Sequence, residues 1–249
     1  MESMKAQKLV TDETISPLKR YQRVVVGDSR LGFTIKYELV TGLFGSFPGA
    51  MGLWFRSRFY WRILKQMGRG VVIGRGTIFH YPLGINLGDR VAIAYDCLFD
   101  ARGNSNRGIT IGDDVIIGRN SSLICKEGNI QVGNNVGIGA NCTLSAVAGN
   151  TIDIGENVLI APYGYLGGIS YHTEAIGTPI VSQGVDPKGG IQVGKNTWLG
   201  ANVTILDGVS VGSDSIVAAG AVVTKDIPAY GIAMGIPAKV VRYREEERS

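Results

Sequence analysis

Ile111-Gly-Asp-Asp-Val-Ile and Ile117-Gly-Arg-Asn-Ser-Ser follow one another directly in the chain and share a six-residue pattern. Each begins with an aliphatic residue and a glycine, continues with two variable positions, and ends with a small or β-branched residue and one more. Further copies, with Gly or Ala in second place, extend from Ile73 to about Pro228 and begin at Leu87, Val132, Ile138, Ile154, Ile160, Val193, Leu199, Val211 and Val217. A fixed hexapeptide period of this kind predicts a parallel β-helix.

The pattern has a direct physical explanation. A short strand points one aliphatic side chain inward, the next residue must be small for the chain to turn, and stacked coils bury a column of aliphatic side chains. We therefore predict an all-β solenoid over residues 70–228, with an N-terminal segment of residues 1–69 and a C-terminal extension of residues 229–249. The hexapeptide rhythm stops at about residues 163–190, which predicts an inserted loop.

Composition and cysteine usage agree with a solenoid. The chain of 249 residues has 36 glycines and only 8% aromatic residues, and the glycines are spread through the repeats, unlike those of a collagen or a flexible linker. Cys97, Cys125 and Cys142 lie in strand-like stretches without the paired spacing of metal ligands. We expect reduced, small apolar residues in a cytoplasmic protein. The polar and charged run from Met1 to Lys19 shows no signal peptide.

Charge is distributed unevenly along the chain. Residues 1–69 contain 12 Lys and Arg against 5 Asp and Glu, whereas residues 70–249 contain 13 against 16. A basic N-terminal segment on a mildly acidic solenoid predicts contact with something anionic on that side. Aromatic and basic residues do not alternate along the repeats, so we expect no nucleic-acid partner.

The N-terminal segment is predicted to contain two helices. The first runs from near Phe33 to Leu43 and the second from near Ala50 to Met67, and Pro48-Gly49 interrupts them. Neither apolar run is long enough to span a bilayer.

Two compatible interpretations of these helices remain open. In the first, they cap the open first coil, whose strand edges and apolar rungs are otherwise unpaired, or pack in a trimer. In the second, they contact an anionic membrane at the inner leaflet. The aromatic and aliphatic residues would then enter the headgroup zone and the cations would bind lipid phosphates; these are Phe44, Phe47, Leu53, Trp54 and Phe55, and Arg56, Arg58, Arg62 and Lys65.

The most specific motifs lie near the C-terminus. They are Asn196-Thr-Trp-Leu-Gly-Ala-Asn-Val-Thr-Ile-Leu-Asp-Gly-Val, Ala218-Ala-Gly-Ala-Val-Val-Thr-Lys-Asp-Ile-Pro and Gly235-Ile-Pro-Ala-Lys-Val-Val-Arg. Together with the hexapeptides they resemble the hexapeptide-repeat acyltransferase superfamily, in its galactoside, maltose and polysaccharide O-acetyltransferase branch. The resemblance covers residues 70 to 242 and implies a left-handed parallel β-helix, an exception to the right-handed crossover rule. It also implies acetyl-CoA as acyl donor and a homotrimer with active sites between subunits.

Acyl transfer to a hydroxyl requires a base that titrates near neutral pH, and histidine is the usual one. The chain has two histidines. His172 lies in the predicted loop, where functional groups tend to occur, and its place before the Trp198 coil matches the family's catalytic histidine. Glu174 could orient the imidazole, contact the acceptor or simply be solvated. For His80, on the first coil, we expect a structural or acceptor-contacting role.

The resemblance also implies the remaining site residues. The oxyanion donor is the backbone N–H of Ala201, at a position where the family often has serine. Trp198 either lines the pantetheine channel or packs on an outer coil face. Ala219 and Thr224 match positions along the pantetheine arm, and the phosphates of CoA require cations, for which the candidates are Lys225, Lys239 and Arg242.

The sequence thus predicts an acetyl-CoA-dependent O-acetyltransferase that modifies a sugar hydroxyl of a surface polysaccharide or glycolipid by direct transfer. One alternative is N-acetylation of an amino sugar, either free or nucleotide-linked. Another is a non-catalytic β-helix scaffold. No metal is expected, because the related γ-class carbonic anhydrases need three histidines for zinc and this chain has two.

Overall fold

Short parallel strands build the body of the structure, one on each of three faces in every coil. The computed structural model describes residues 15–244. Within them the chain forms a solenoid of about seven turns, preceded by a helical segment, that matches the left-handed β-helix. The fold class predicted from the hexapeptide period is therefore confirmed. The expectations for the first 14 and the last five residues concern a part of the chain outside the described residues.

Strands are numbered in chain order and belong to three faces. Face 1 consists of β1 (Gln66–Met67), β4 (Ile85–Leu87), β7 (Gly108–Ile111), β10 (Asn129–Val132), β13 (Thr151–Ile154), β18 (Gly190–Val193) and β21 (Ser210–Val211). Face 2 consists of β2 (Val72–Ile73), β5 (Ala92–Ile93), β8 (Ile116–Ile117), β11 (Gly137–Ile138), β14 (Leu159–Ile160), β19 (Trp198–Leu199), β22 (Ile216–Val217), β24 (Gly231–Met234) and β25 (Lys239–Tyr243). Face 3 consists of β3 (Ile78–His80), β6 (Leu98–Arg102), β9 (Ser122–Lys126), β12 (Thr143–Val147), β15 (Tyr165–Gly167), β20 (Thr204–Ile205) and β23 (Val222–Val223).

The hexapeptide period sets the core because the register places equivalent residues of successive coils above one another. On face 2, Ile117 aligns with Ile138, Ile138 with Ile160, and Ile160 with Leu199. These aliphatic side chains are all buried. Removing such a column from water is the main favourable term in folding a solenoid of this kind.

The residue types found at the variable positions of the hexapeptide also have a structural explanation. Many turn residues have a positive φ, a conformation that asparagine and aspartate tolerate better than other non-glycine residues. The repeats supply Asn or Asp there, at Asp96, Asp114, Asn120, Asn135, Asn141, Asn157, Asn196, Asn202 and Asp214. The residue after each face 2 strand must be small for a different reason. A Cβ on Gly200, for example, would lie 2.5 Å from the backbone nitrogen of Ala219 in the next coil.

The helical segment covers the open end of the first coil. It contains α1 (Pro17–Tyr21), a π-helical turn (Gln22–Val26), α2 (Leu31–Phe44), α3 (Gly49–Phe59) and a 3₁₀ turn (Tyr60–Arg62). Tyr60 and Ile63 are fully buried in the same core as the first coil. The Tyr37 hydroxyl donates a hydrogen bond of 2.9 Å to the Phe79 carbonyl, and the Tyr60 and Phe79 rings are 5.8 Å apart. The segment therefore has the capping arrangement, one of the two interpretations left open by the sequence.

Two sequence-based expectations for this segment need correction. The second helix ends at Phe59 and not near Met67, because residues 66–67 already pair with the next coil as a strand. Arg56, expected on lipid phosphates, is 1% exposed and cannot reach a membrane surface. None of the helices within residues 15–244 is long and apolar enough to cross a membrane.

Candidate functional site

The His172 loop leaves the solenoid between β15 and β18. The strand β15, within the range predicted as loop, still pairs with its neighbours in face 3, so the excursion itself spans residues 168–189. A short antiparallel pair, β16 (Ser170–Tyr171) and β17 (Val185–Asp186), closes the base of the loop. The helix α4 (Ile180–Gln183) lies within it.

The imidazole of His172 is accessible and has one carboxylate neighbour. Its side chain is 48% exposed, and Nδ1 is 3.7 Å from Oε2 of Glu174. The His172 backbone N–H donates to the Gly184 carbonyl at 3.2 Å, which holds the residue beside the hairpin. Glu174 is itself 79% exposed. At this distance and exposure the carboxylate can attract an imidazolium without fixing its orientation.

Asp207, which was not among the residues predicted from the sequence, anchors the return of this loop to the solenoid. Its carboxylate accepts hydrogen bonds from the backbone N–H groups of Lys188 and Gly190, both at 2.8 Å, and from Nδ2 of Asn150 at 2.7 Å. Oδ1 of Asn150 accepts in turn from the Gly189 N–H at 3.2 Å. The two side chains are 57 residues apart in sequence, and only their repeat positions after strands of face 3 hinted that they share an edge.

Ala201 lies at the corner where the chain passes from face 2 to face 3. The face 2 strands β2, β5, β8, β11, β14, β19 and β22 each end in a buried residue. We call the residues two positions after these the turn column: Arg75, Tyr95, Arg119, Ala140, Pro162, Ala201 and Ala219. Each carbonyl from Arg75 to Ala201 accepts a backbone hydrogen bond of 2.8–3.0 Å from the turn of the next coil. The column is therefore continuous along the solenoid.

The backbone N–H of Ala201 is available as a donor. It donates no hydrogen bond within residues 15–244, and the same is true of the N–H groups of Ala140 and Ala219. A free N–H is thus a property of this turn in general. The available donor fits an oxyanion site but does not by itself distinguish one coil from another.

The predicted site residues fall into three groups. Ala201 and Ala219 belong to the turn column, and Trp198 lies beside them on the outer surface of face 2, half exposed. His172 and Glu174 project from the corner where the chain passes from face 3 to face 1, and Thr224 and Lys225 follow β23 at that same corner. Lys239 and Arg242 are on β25 at the end of face 2. Within one chain, His172 and Ala201 are thus at different corners.

The three candidate cations for CoA are all exposed. Lys225, Lys239 and Arg242 have no ion-pair partner within the described part of the chain. Cations without an ion-pair partner near the last coil can bind phosphates through charge-assisted hydrogen bonds, because no existing ion pair has to be broken first.

His80 is in a different setting from His172. It is on β3, where its Nδ1 is 3.9 Å from Oδ2 of Asp100, and that carboxylate accepts a 3.0 Å hydrogen bond from Nη2 of Arg102. Asp100 is buried. The cluster packs beside the helical cap, far along the solenoid from the turn of Ala201, which suits a structural role.

Cysteine and metal chemistry have little support from the described residues. All three cysteines are unpaired and buried. Burial raises the pKa of the Cys125 thiol to about 12, and it also raises the pKa values of Cys97 and Cys142. Between residues 15 and 244 no group of three or more His, Cys, Asp or Glu side chains could hold a metal ion.

The outer surfaces of the three faces differ in polarity. Aligned outward positions of face 2 carry large exposed apolar side chains at Val72, Ile116, Leu159 and Trp198. The outward positions of face 1 are polar, at Asn86, Thr110, Gln131, Asp153, Gln192 and Ser210. A second apolar surface lies on α2, where Leu31, Ile35, Leu39 and Leu43 recur every four residues and are all exposed.

Comparisons with known proteins agree with the repeat structure. Residues 190–225 match the family model described as bacterial transferase hexapeptide (six repeats), and residues 108–146 match hexapeptide repeat of succinyl-transferase. A probable acetyltransferase of Mycobacterium tuberculosis is 30% identical over 193 residues, which are 77% of this chain and 58% of that protein. The galactoside O-acetyltransferase of Escherichia coli is 40% identical over 116 residues, covering 46% of this chain and 54% of the enzyme. The chain thus spans little more than half the length of these relatives.

A solved structure shows the same fold. The crystal structure of a point mutant of AntD, an N-acyltransferase from Bacillus cereus, in complex with dTDP and coenzyme A superimposes with a TM-score of 0.53 at 17% identity. The superposition covers 80% of this chain and 92% of the AntD chain. At this identity the likeness concerns the fold alone.

Proposed function

The chain belongs to the hexapeptide-repeat acyltransferase superfamily, and on that premise we propose that it is an acetyl-CoA-dependent O-acetyltransferase acting on a sugar hydroxyl of a surface polysaccharide or glycolipid. The observation that carries the proposal is an accessible histidine on the one long excursion between β1 and β25, followed by a coil that has a free backbone N–H at a different corner. Similarity to a galactoside O-acetyltransferase favours a sugar hydroxyl.

The proposed reaction is a direct transfer. His172 removes the proton of the acceptor hydroxyl while its oxygen attacks the thioester carbonyl carbon. The carbonyl oxygen becomes an oxyanion and accepts a hydrogen bond from the Ala201 N–H. The intermediate then expels the CoA thiolate, which takes the proton from the imidazolium, and leaves an acetyl ester. The buried thiols, whose pKa values are raised, do not favour an acyl-enzyme on cysteine.

Acetyl-CoA is proposed to bind along the last coils. Trp198 and Ala219 are next to Ala201 on the surface that the pantetheine arm would follow toward the end of the solenoid. Thr224 offers a hydroxyl, and the exposed cations Lys225, Lys239 and Arg242 would bind the phosphates.

The proposed assembly is a homotrimer, because one chain cannot complete the site. His172 and Ala201 are at different corners, so a second copy must bring its loop to the turn column of the first. The aligned apolar positions of face 2, which include Ile116, Leu159 and Trp198, offer the surface that such a copy would cover.

Contact with an anionic membrane is proposed for the helical segment. The apolar row of α2 faces away from the core, and Trp54 and Trp61 on the following helical turns are also exposed. Arg58, Arg62 and Lys65 are exposed beside them. An apolar surface flanked by cations suits the interface of an anionic bilayer. A cytoplasmic enzyme held at the inner membrane surface would meet lipid-linked sugars there.

The test measures CoA release with a panel of free, polymeric, nucleotide-linked and lipid-linked sugars. We expect turnover of a sugar hydroxyl acceptor and a 10²–10⁴-fold loss in His172→Ala, with CoA affinity unchanged, since general-base catalysis is lost but binding is not. His80→Ala is the control and should stay near wild type. Transfer only to amino sugars would replace the proposal by N-acetylation. No CoA release with any acceptor would favour a non-catalytic scaffold.

A further inference from the structure

A cavity lies between the helical cap and the first three coils, at the same corner as Ala201. It has a volume of about 400 Å³ and is lined by Arg56, Arg75, Tyr95, Asp96, Arg119 and Asn120. Arg75, Tyr95 and Arg119 are the first three members of the turn column. The lining thus combines three guanidinium groups with a single carboxylate, an excess of positive charge.

Within residues 15–244, the positive charge of Arg56 has no carboxylate partner. The residue is 1% exposed. Its Nε donates to the Ile73 carbonyl at 2.7 Å, and Nη1 donates to the carbonyls of Phe44 and Phe47 at 2.8 and 2.9 Å. Nη2 has no hydrogen-bond acceptor among residues 15–244, and no carboxylate in that range forms an ion pair with the group.

A buried cation without a counter-ion is costly unless an anion joins it. Burial is the main cause that lowers the pKa of Arg56. Tyr60 and Tyr95 act in the opposite direction, and the positive charge of Arg75 adds a smaller lowering of the pKa. The two groups are therefore close enough to repel each other. Arg75 and Arg119 are exposed and have no ion-pair partner in the described part of the chain, so both are free to turn toward a ligand.

The start of α3 adds a second set of donors. Pro48, the N-cap residue, and Gly49, the first residue of the helix, also line the cavity. The first intrahelical hydrogen bond is from the Gly52 N–H to the Pro48 carbonyl, which leaves the preceding N–H groups of this 11-residue helix without intrahelical acceptors. Free N–H groups at a helix N-terminus, together with arginine side chains, are a setting that binds phosphate.

The cavity lies on the same turn column as Ala201, the proposed oxyanion donor. Three steps along the turn column separate Arg119 from Ala201, by way of Ala140 and Pro162. At about 4.8 Å between neighbouring strands, this distance is about 14 Å. The intervening residues are small or lack a charge, so an extended ligand can lie along the corner between the two points.

We propose that the cavity binds a phosphoryl group of the acceptor, whose reacting hydroxyl lies at Ala201 while its phosphate is held by Arg56, Arg75 and Arg119. The inference rests on the proposed function and narrows it to phosphate-bearing saccharides, such as a pyrophosphate-linked sugar or a phosphorylated glycan. The cations at the far end of the solenoid remain for CoA.

The first test measures binding of inorganic pyrophosphate to the full chain by isothermal titration calorimetry at low salt. We expect about tenfold weaker binding in Arg75→Gln and in Arg119→Gln, because each loses a charge-assisted hydrogen bond. Both residues are exposed, so both variants should fold, unlike variants of Arg56. The matched control is Arg107→Gln, an exposed arginine on another corner. Absence of binding to the wild type, or equal weakening in the control, overturns the site.

The second test uses pairs of acceptors that differ only in a phosphoryl group. The phosphorylated member should have a lower KM, and Arg119→Gln should remove that difference in KM between the two acceptors. Equal KM values in the wild type overturn the assignment to the acceptor. A tenfold loss of CoA affinity in Arg119→Gln assigns the phosphate to CoA and overturns it as well.

Two further outcomes separate this inference from the proposed function. If no acceptor is turned over while pyrophosphate binding still depends on Arg75 and Arg119, the transferase proposal and the acceptor assignment fail and the anion site is supported.

Sedimentation with phosphatidylglycerol vesicles tests a lipid source of the phosphate. We expect the same sedimentation for Arg119→Gln as for wild type, and a clear loss there would overturn the assignment to an acceptor.

Discussion

The two halves of the turn column have the same backbone and different side chains. In the first three coils the column carries Arg75, Tyr95 and Arg119, and in the last four it carries Ala140, Pro162, Ala201 and Ala219. The hydrogen bonds between successive turns are alike throughout, at 2.8–3.0 Å. One repeated position thus supplies charged side chains at one end of the corner and an unobstructed backbone at the other.

The difference shows how a regular scaffold acquires specialised regions. The hexapeptide fixes aliphatic and small residues inside, while the third position points outward and is free to vary. Long side chains near the cap create a cavity with the N-terminal helices. Small side chains near Ala201 leave room for a ligand to approach the main chain. The hydrogen-bond donor there is a backbone N–H and does not depend on the identity of the side chain.

The largest effect is expected from removing the main-chain donor. Ala201→Pro deletes the N–H, and proline is compatible with this turn because Pro162 occupies the equivalent position one coil earlier. We expect kcat to fall by about 10²–10³-fold, the effect of losing one oxyanion donor. Ala140→Pro, the same change elsewhere in the column, is the control and should keep kcat. An active Ala201→Pro enzyme would remove the distinction between the two halves.

Mixing two inactive variants tests whether the turn column works with the loop of another chain. His172→Ala and Ala201→Pro are co-expressed with different tags, and oligomers that carry both tags are purified. If each site takes its base and its donor from different copies, roughly a quarter of the sites in a random mixture are intact. We expect CoA release to recover to about that fraction. Activity that stays at the level of the separate variants would place both residues of a site in one chain.

A smaller effect is expected when the His172 loop is loosened and the turn column is left unchanged. Asp207→Ala removes three hydrogen bonds that anchor the end of the loop. We expect kcat to fall about tenfold, because His172 is less often in position. Amide hydrogen exchange in residues 168–189 should accelerate, whereas pyrophosphate binding at the far end should not change. Asp153→Ala, at an exposed position of face 1, is the control; unchanged exchange in Asp207→Ala would contradict the anchoring role.

The smallest effect is expected from removing one surface arginine of the helical segment, which distinguishes the surface cations from those that line the cavity. Each arginine near an anionic bilayer contributes about 1 kcal/mol, so Arg58→Gln should weaken sedimentation with anionic vesicles about fivefold, and less as salt rises. Turnover of a small soluble acceptor should stay the same. Arg107→Gln is again the control. If wild-type protein does not bind such vesicles at low salt, the helices act as a cap alone.

Much of the site could be located from the repeat alone, but not its anchors. The interruption of the period marks the loop of His172, and the third hexapeptide position places Ala201, Arg75 and Arg119 on one corner. Asp207 and Asn150 gave no comparable signal, because each is an ordinary polar residue until the loop ends are folded against them. Arg56 was misjudged for a similar reason: basic residues on an amphipathic helix usually face solvent, and only packing on the first coil buries this one.

The amino-acid sequence by itself determined the solenoid, its aliphatic columns and the alignment of equivalent turn positions, because a six-residue period acts locally and repeats the same geometry in every coil. Only the tertiary structure decided that His172 and Ala201 lie at different corners and that the helical cap forms a cation-lined cavity with the first coils. These relations join segments far apart in sequence, and their distances depend on how the chain packs and not on any local pattern.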